Sequence, residues 1–100
     1  MTIEIKKNQE QTVIAIVGRL DTITAPALEK TINEDIGDTK NLILDVKGME
    51  YISSAGLRIL KLLYMALRKK DGELEIKNVN KLVMEVFEMT GFADILTIES

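Results

Sequence analysis

The chain has 100 residues, of which 46% are hydrophobic and 29% charged, and this composition predicts one globular domain covering residues 1–100. It contains neither cysteine nor histidine, which excludes disulfides, catalysis by a thiolate or an imidazole, and metal sites built on those side chains. Its formal net charge of −3 argues against direct binding to nucleic acid, which needs a surplus of cations.

The first third of the chain changes from the period of a strand to that of a helix. "TIEIKK" alternates and "TVIAIVG" is rich in β-branched residues, so we expect a β-hairpin that turns at "NQEQ" and ends at Gly18. A helix of about three turns should follow, with Thr24 as its N-cap and Gly37 after its end. Its apolar stripe consists of Leu28, Ile32 and Ile36.

The remainder alternates strands with helices. "NLILDV" predicts a central strand over 41–46 that is covered on both faces, and "KGMEYIS" leads from it to the next helix. We expect that helix from about Ala55 to Lys69, with Ser54 as its N-cap. "ELEIKNV" is another strand, Asn80 and Gly91 mark the ends of a helix over "KLVMEVFEMT", and "ILTIE" is a last strand or an extended tail.

The predicted fold is therefore α/β, in the order β-β-α-β-α-β-α-(β). Because strands alternate with helices after the first hairpin, we expect a mixed central sheet of four to five strands with helices packed against it.

The sequence lacks the common signatures of a catalytic or cofactor site. "GxSxG", "GxGxxG" and "GxxxxGK[ST]" are missing, and the acidic group Glu34, Asp35 and Asp38 is more typical of a solvated helix end than of a metal site. The N-terminus is too polar for a signal peptide, and no apolar run approaches the ~20 residues that span a bilayer. We therefore expect a soluble, cytoplasmic protein without cofactor, metal or membrane partner.

The stretch "YISSAGLRIL" raises the main question of function, because two adjacent serines precede an apolar helix. A serine at a helix start can accept a hydrogen bond from a first-turn amide, which stabilises the protein by ~1 kcal/mol. The same position suits an anion, because free N–H groups and the positive end of the helix dipole lie there. A phosphoryl group on Ser54 would add about −1.5 to −2 charges at little structural cost. The residue pattern alone leaves both roles open.

Three stretches, "GRLDTITAPALE", "LILDVKGMEYISSAGLRIL" and "VNKLVMEVFEMTGFADIL", together resemble the STAS-domain family, and within it the bacterial anti-sigma-factor antagonists. The resemblance covers nearly the whole chain. Its most specific part runs from an acidic strand end at Asp45 through the serine pair to the Gly-Leu of the next helix. It implies a STAS-like domain that is not an enzyme and that regulates transcription through protein partners.

The resemblance also implies a mechanism. The unphosphorylated form would bind an anti-sigma factor that is also a serine kinase, and so free the sigma factor. Phosphorylation would release the partner, and a PP2C-type phosphatase would reset the switch. The phosphorylated serine of the family corresponds to Ser54. Many relatives carry Asp where this chain has Ser53, which makes Ser53 the second candidate.

The implied partner-binding residues flank the serines and the "G-x-L-D" match that ends at Asp21. They are Asp21, Thr22, Tyr51, Ile52, Ser53, Ala55, Gly56, Leu57 and Arg58. Two of them have structural alternatives. Asp21 could cap its own loop through Thr22 or Thr24, and Gly56 could serve close packing of the first helical turn.

Two other classes of function remain open. A STAS domain could act as a scaffold or sensor that binds sister STAS proteins or a small ligand, in which case the serines only cap the helix. An enzyme that uses carboxylates is the third class, although only generic Asp and Glu residues support it.

Overall fold

The structure is a computed structural model of the chain and describes residues 1–8 and 11–99. Its elements are β1 (Thr2–Lys7), β2 (Thr12–Leu20), α1 (Ala25–Asp35), β3 (Asn41–Ile52), α2 (Ser54–Lys69), β4 (Glu73–Lys77), α3 (Lys81–Thr90), α4 (Phe92–Ile95) and β5 (Thr97–Glu99). The predicted order is confirmed, and the short helix α4 is added between α3 and the last strand. The tips of the predicted hairpin turn, Gln9 and Glu10, lie outside the described residues.

The five strands form one sheet in the order β1-β2-β3-β4-β5. β1 pairs with β2 antiparallel, and the other three pairings are parallel, so the predicted mixed sheet is confirmed. Strands β2 and β3 are parallel neighbours that pair as far as Leu20 and Ile52, which brings their carboxyl ends to the same edge of the sheet.

The expectation that the central strand is covered on both faces was wrong. Along β3, the buried Leu42, Leu44 and Val46 alternate with the partly exposed Ile43 and Asp45. β2 and β4 show the same alternation. This is the pattern of a sheet that packs on one face and meets solvent on the other. The three connections between parallel strands, from β2 to β3, from β3 to β4 and from β4 to β5, all advance in the same direction across the sheet. Right-handed connections of this kind place their helices on the same face of the sheet, which leaves the other face to solvent.

Both central strands are longer than the sequence predicts. β2 continues past Gly18 to Leu20, and β3 continues past residue 46 to Ile52. The pairing shifts register between Ala15 and Val17 and again after Gly18, so β3 contains extra residues relative to β2. A Cβ at Gly48 would lie 2.8 Å from the Val17 side chain, so this glycine allows the two strands to approach each other closely at the first irregularity.

Asp45 consequently lies inside β3 and not at a strand end. Its Oδ1 accepts hydrogen bonds from Asn78 Nδ2 and from the Lys47 amide, both at 3.0 Å. The bond from Asn78, followed by that from Lys47, lowers the pKa of Asp45 below its usual value. The residue therefore links β3 to the end of β4.

The ends of α3 follow the sequence signals. Asn80 Oδ1 accepts from the Val83 amide at 2.8 Å, and Gly91 after the last turn has a φ of 82°. The ring of Phe92 stacks on Phe87 with 6.3 Å between centroids. No helix in the described part of the chain is long and apolar enough to span a membrane.

Candidate functional site

The candidate site is built where β2 and β3 end side by side. Leu20 pairs with Ile52, and the amide of Ser53 donates to the Leu20 carbonyl at 2.9 Å. Asp21 and Ser53 therefore leave neighbouring strand ends, at the edge of a parallel pair where functional groups of α/β proteins commonly gather.

The two serines of the motif occupy different environments. Ser53 is extended (φ −99°, ψ 176°), half-buried, and is the N-cap of α2: its Oγ accepts from the Gly56 amide at 3.4 Å. Ser54 is the first helical residue, is exposed, and its hydroxyl makes no hydrogen bond within the described residues. The prediction that Ser54 is the N-cap was therefore wrong. β3 runs through Ile52, so residue 53 is the last extended position before the helix.

Three of the predicted partner-binding residues face the core. Ile52 and Leu57 are 2% and 7% exposed, and Gly56 is buried between their elements. A Cβ at Gly56 would lie 2.7 Å from Leu20 Cγ and 2.9 Å from Ile52 Cγ1. The packing alternative for Gly56 thus accounts for a glycine at this position. These residues hold the start of α2 against the sheet, and their side chains do not form the outer surface.

Asp21 organises the loop that follows β2. Its Oδ1 accepts from the amides of Ile23 and Thr24, each at 3.0 Å. The bond from the Thr24 amide is the main reason why the pKa of Asp21 lies below its ordinary value. The capping alternative for Asp21 is therefore realised through Thr24 and not through Thr22.

Thr24 directs its hydroxyl back into the same loop. Its Oγ1 accepts from the Asp21 amide at 2.8 Å and donates to the Arg19 carbonyl at 2.8 Å. Thr24 does precede α1, as predicted, but its side chain makes no cap hydrogen bond to that helix. Asp21 and Thr24 together fix the shape of the loop.

The other members of the predicted set are exposed or half-buried and lie around the start of α2. Thr22, Ala55 and Arg58 line one shallow cleft of about 160 Å³ between the beginnings of α1 and α2. Ser54 directly precedes Ala55, one of the residues that line this cleft. Tyr51, near the end of β3, is 36% exposed. We call Asp21, Thr22, Tyr51, Ser54, Ala55 and Arg58 the switch surface.

Two further residues at this surface, Arg19 and Ile23, were not predicted from the sequence. The Arg19 guanidinium carbon lies 4.3 Å from the centroid of the Tyr51 ring, and its Nε is 3.7 Å from Asp21 Oδ2. Ile23, in the same loop, is 87% exposed. The exposure of Ile23 could have been predicted, because it is an isoleucine within the polar stretch "DTIT". The contact between Arg19 and Tyr51 could not, because it depends on the register shifts between β2 and β3.

Comparisons with known proteins agree with this architecture. The family model described as STAS domain matches residues 2–100. An anti-sigma-B factor antagonist of Bacillus subtilis (strain 168) is 24% identical over 100 residues, which cover 100% of this chain and 92% of that protein. The crystal structure of an anti-sigma factor antagonist from Mycobacterium paratuberculosis is similar with a TM-score of 0.87 and 26% identity, over 98% of this chain and 84% of that one.

The Bacillus cell fate determinant SpoIIAA in its phosphorylated form shares the fold, with a TM-score of 0.77 and 18% identity, over 99% of this chain and 92% of that one. The family match over nearly all of the chain, together with the sheet order and the strand–serine–helix junction, leads to one conclusion: this chain belongs to the STAS domain family.

Proposed function

We propose that the protein is an anti-sigma factor antagonist whose binding is switched by phosphorylation of Ser54. The names of its relatives support the general role. One observation supports the choice of serine: Ser54 is exposed and makes no hydrogen bond within the described residues, whereas Ser53 is half-buried and caps α2. A modifying enzyme can therefore reach Ser54 without first breaking a contact that holds the fold together.

The start of α2 can accept a phosphoryl group. The first turn contains no acidic residue, and the amino end of the helix favours negative charge by ~0.3–1 kcal/mol. The phosphoryl group would add about −1.5 to −2 charges in the middle of the switch surface. That the phosphorylated form of SpoIIAA keeps this fold supports the compatibility of the two.

Release of the partner follows from desolvation. A partner that covers the switch surface would have to bury the phosphoryl group and strip its water, which costs binding free energy unless the partner itself supplies an opposite charge. A loss of ~3 kcal/mol in binding free energy would reduce affinity on the order of a hundredfold, which is enough to switch a complex off.

The cycle needs two enzymes besides this chain. In the forward step, Ser54 Oγ attacks the γ-phosphorus of ATP on an anti-sigma factor with serine kinase activity, ADP leaves, and the hydroxyl proton passes to a base of the kinase. In the reverse step, a PP2C-type phosphatase uses water to return the hydroxyl and release inorganic phosphate. The unmodified chain binds the anti-sigma factor and frees the sigma factor, so this chain acts as substrate and binding module.

Intact-mass spectrometry of the protein purified from its own host, followed by mapping of the peptide over residues 47–61, tests the modification. We expect one phosphate, carried by Ser54. With the purified kinase and ATP, Ser53→Ala should still accept one phosphate and Ser54→Ala none. Full phosphorylation of Ser54→Ala would contradict the assignment.

Ser54→Asp should abolish the complex with the anti-sigma factor, while the matched variant Ser53→Ala should retain it. Co-purification with sister STAS proteins alone, with no phosphate on either serine, would instead indicate a scaffold.

A further inference from the structure

The outward side of α2 carries charge of one sign. This helix contains four of the thirteen Lys and Arg residues and none of the sixteen Asp and Glu residues. The rest of the chain therefore has nine cations against sixteen acids, so α2 is a basic element in an acidic protein. A helix placed only to cover the sheet does not require this segregation of charge.

The four cations fall on one exposed stripe together with two apolar side chains. Leu62 and Met65 are 43% and 46% exposed, and the four cations are exposed as well. The stripe advances by three or four residues at a time, which is the spacing of one helix face, and extends for about 16 Å. We call it the basic strip; its residues are Arg58, Lys61, Leu62, Met65, Arg68 and Lys69.

Within residues 1–8 and 11–99, the cations of the basic strip have no salt-bridge or hydrogen-bond partner. The two salt bridges among the described residues, Arg19–Asp21 and Lys77–Glu75, lie elsewhere, and no hydrogen bond involves the side chain of any of the four. Lys70, directly after α2, behaves differently: its Nζ donates to the carbonyls of Gly37 and Thr39 at 2.6 and 3.2 Å. Lys70 is thus used by the fold, whereas the strip is left for something outside it.

We propose that the basic strip docks an acidic face of a partner protein, one that carries apolar side chains between its carboxylates. Charge complementarity sets the sign of that face, and Leu62 and Met65 require apolar contacts along its centre. A lipid bilayer fits less well, because the apolar side of α2 is buried against the sheet and Leu62 and Met65 are the only large apolar side chains of this helix that are exposed. An extended nucleic acid would meet the acidic remainder of the chain.

The strip begins one helical turn after Ser54 and is continuous with the switch surface through Arg58. This inference rests on the proposed function in one respect: the partner with the acidic face is the one that responds to Ser54. A phosphoryl group there would add negative charge four residues from Arg58 and weaken the attraction for an acidic face at that end of the strip.

Binding of a designed probe tests the strip directly. The probe is a fluorescent helical peptide of about 14 residues, roughly 20 Å long, with glutamates and leucines spaced to face the strip; its twin has glutamine in place of glutamate. Fluorescence anisotropy with the full unmodified chain should show binding of the glutamate peptide that weakens as salt rises. The double variant R68E/K69E should bind it at least about tenfold more weakly, which corresponds to 1.4 kcal/mol.

The matched control K6E/K7E makes the same change of net charge on β1, where both lysines are exposed, and should bind like the original chain. The milder pair R68Q/K69Q should lose affinity in the same direction, which guards against misfolding of the reversal variant. Equal losses in R68E/K69E and K6E/K7E, or equal binding of the glutamine peptide, would overturn the proposal.

Two further outcomes would also overturn it in favour of another occupant. One is strip-dependent sedimentation with vesicles that contain phosphatidylglycerol. The other is self-association in sedimentation velocity that R68E/K69E abolishes. Failure of the strip leaves the Ser54 assignment intact, because the peptide experiment uses unmodified protein. Conversely, absence of phosphate on Ser54 would leave the peptide result unchanged, so the two proposals fail separately.

Discussion

The two serines before α2 should contribute very differently to the stability of the unmodified protein. Ser53 Oγ lies 3.4 Å from the Gly56 amide, beyond the usual 2.7–3.2 Å, so Ser53→Ala should cost only about 0.5–1 kcal/mol of the free energy of unfolding. The Ser54 hydroxyl makes no hydrogen bond within the described residues. Because alanine forms helices somewhat better than serine, Ser54→Ala should be neutral or stabilise by a few tenths of a kcal/mol.

Asn80 gives an internal reference for this comparison. Its Oδ1 accepts from the Val83 amide at 2.8 Å, and its Nδ2 donates to the Met49 carbonyl at 2.7 Å. Asn80→Ala removes both bonds, so at ~1 kcal/mol for each it should cost about 2 kcal/mol. The expected order of destabilisation is therefore Asn80→Ala first, Ser53→Ala second, and Ser54→Ala last.

Urea unfolding of the three variants measures this order, provided that the dependence on denaturant stays the same. In thermal unfolding, 1 kcal/mol corresponds to roughly 4–8 °C for a domain of this size, so Ser53→Ala should lower Tm by a few degrees and Asn80→Ala by roughly twice as much or more. If Ser54→Ala destabilised the protein more than Ser53→Ala, then Ser54 would be the cap in solution, and the argument that separates the two serines would fail.

Two further variants test the supports of the site. Gly56→Ala should be destabilised by about 1 kcal/mol. The new Cβ would lie 2.7 Å from Leu20 Cγ, and the cost of this overpacking exceeds the ~1 kcal/mol by which alanine is favoured over glycine in a helix. A Tm that is unchanged or raised would contradict this. Asp21 has a lowered folded-state pKa, so its stabilisation is present above the unfolded pKa and disappears as pH falls through the folded pKa. The stability difference between the original chain and Asp21→Asn should therefore shrink on acidification from neutral pH to roughly pH 3; a constant difference in urea unfolding would exclude this role of the carboxylate.

Local patterns were sufficient for most of the architecture and insufficient wherever two distant segments decide the outcome. The stripe of α1, the cap at Asn80 and the left-handed Gly91 each depend on residues within a few positions, and all were predicted. The sequence around Gly48, by contrast, is typical of a loop, because a glycine that follows the apolar run "NLILDV" is a signal for the end of a strand. Only the pairing with β2 makes it a bulge inside a long strand, and that pairing is a property of the sheet.

The shift of the cap from Ser54 to Ser53 has the same origin. From the sequence, the boundary of a helix is uncertain by a residue or two, and two adjacent serines are equally good caps. In the structure, β3 determines which serine is the cap, because this strand remains extended through Ile52 and the amide of Ser53 then donates to the Leu20 carbonyl. The contact between Arg19 and Tyr51 likewise could not be predicted from the sequence, because the register shifts between β2 and β3 align the two side chains.

The separation of the two serines has a consequence for regulation. If Ser54 were the cap, its phosphorylation would remove a hydrogen bond at the start of the helix. The modification would then change both the affinity for the partner and the free energy of unfolding. Because Ser53 provides the cap, a phosphoryl group on Ser54 meets solvent, the helix dipole and the exposed Arg58 four residues along the helix, which together change the folding free energy by about 1 kcal/mol in the favourable direction. The proposed modification would then act almost entirely on partner affinity, so phosphoserine at residue 54 should leave Tm unchanged or slightly raised while it abolishes the complex.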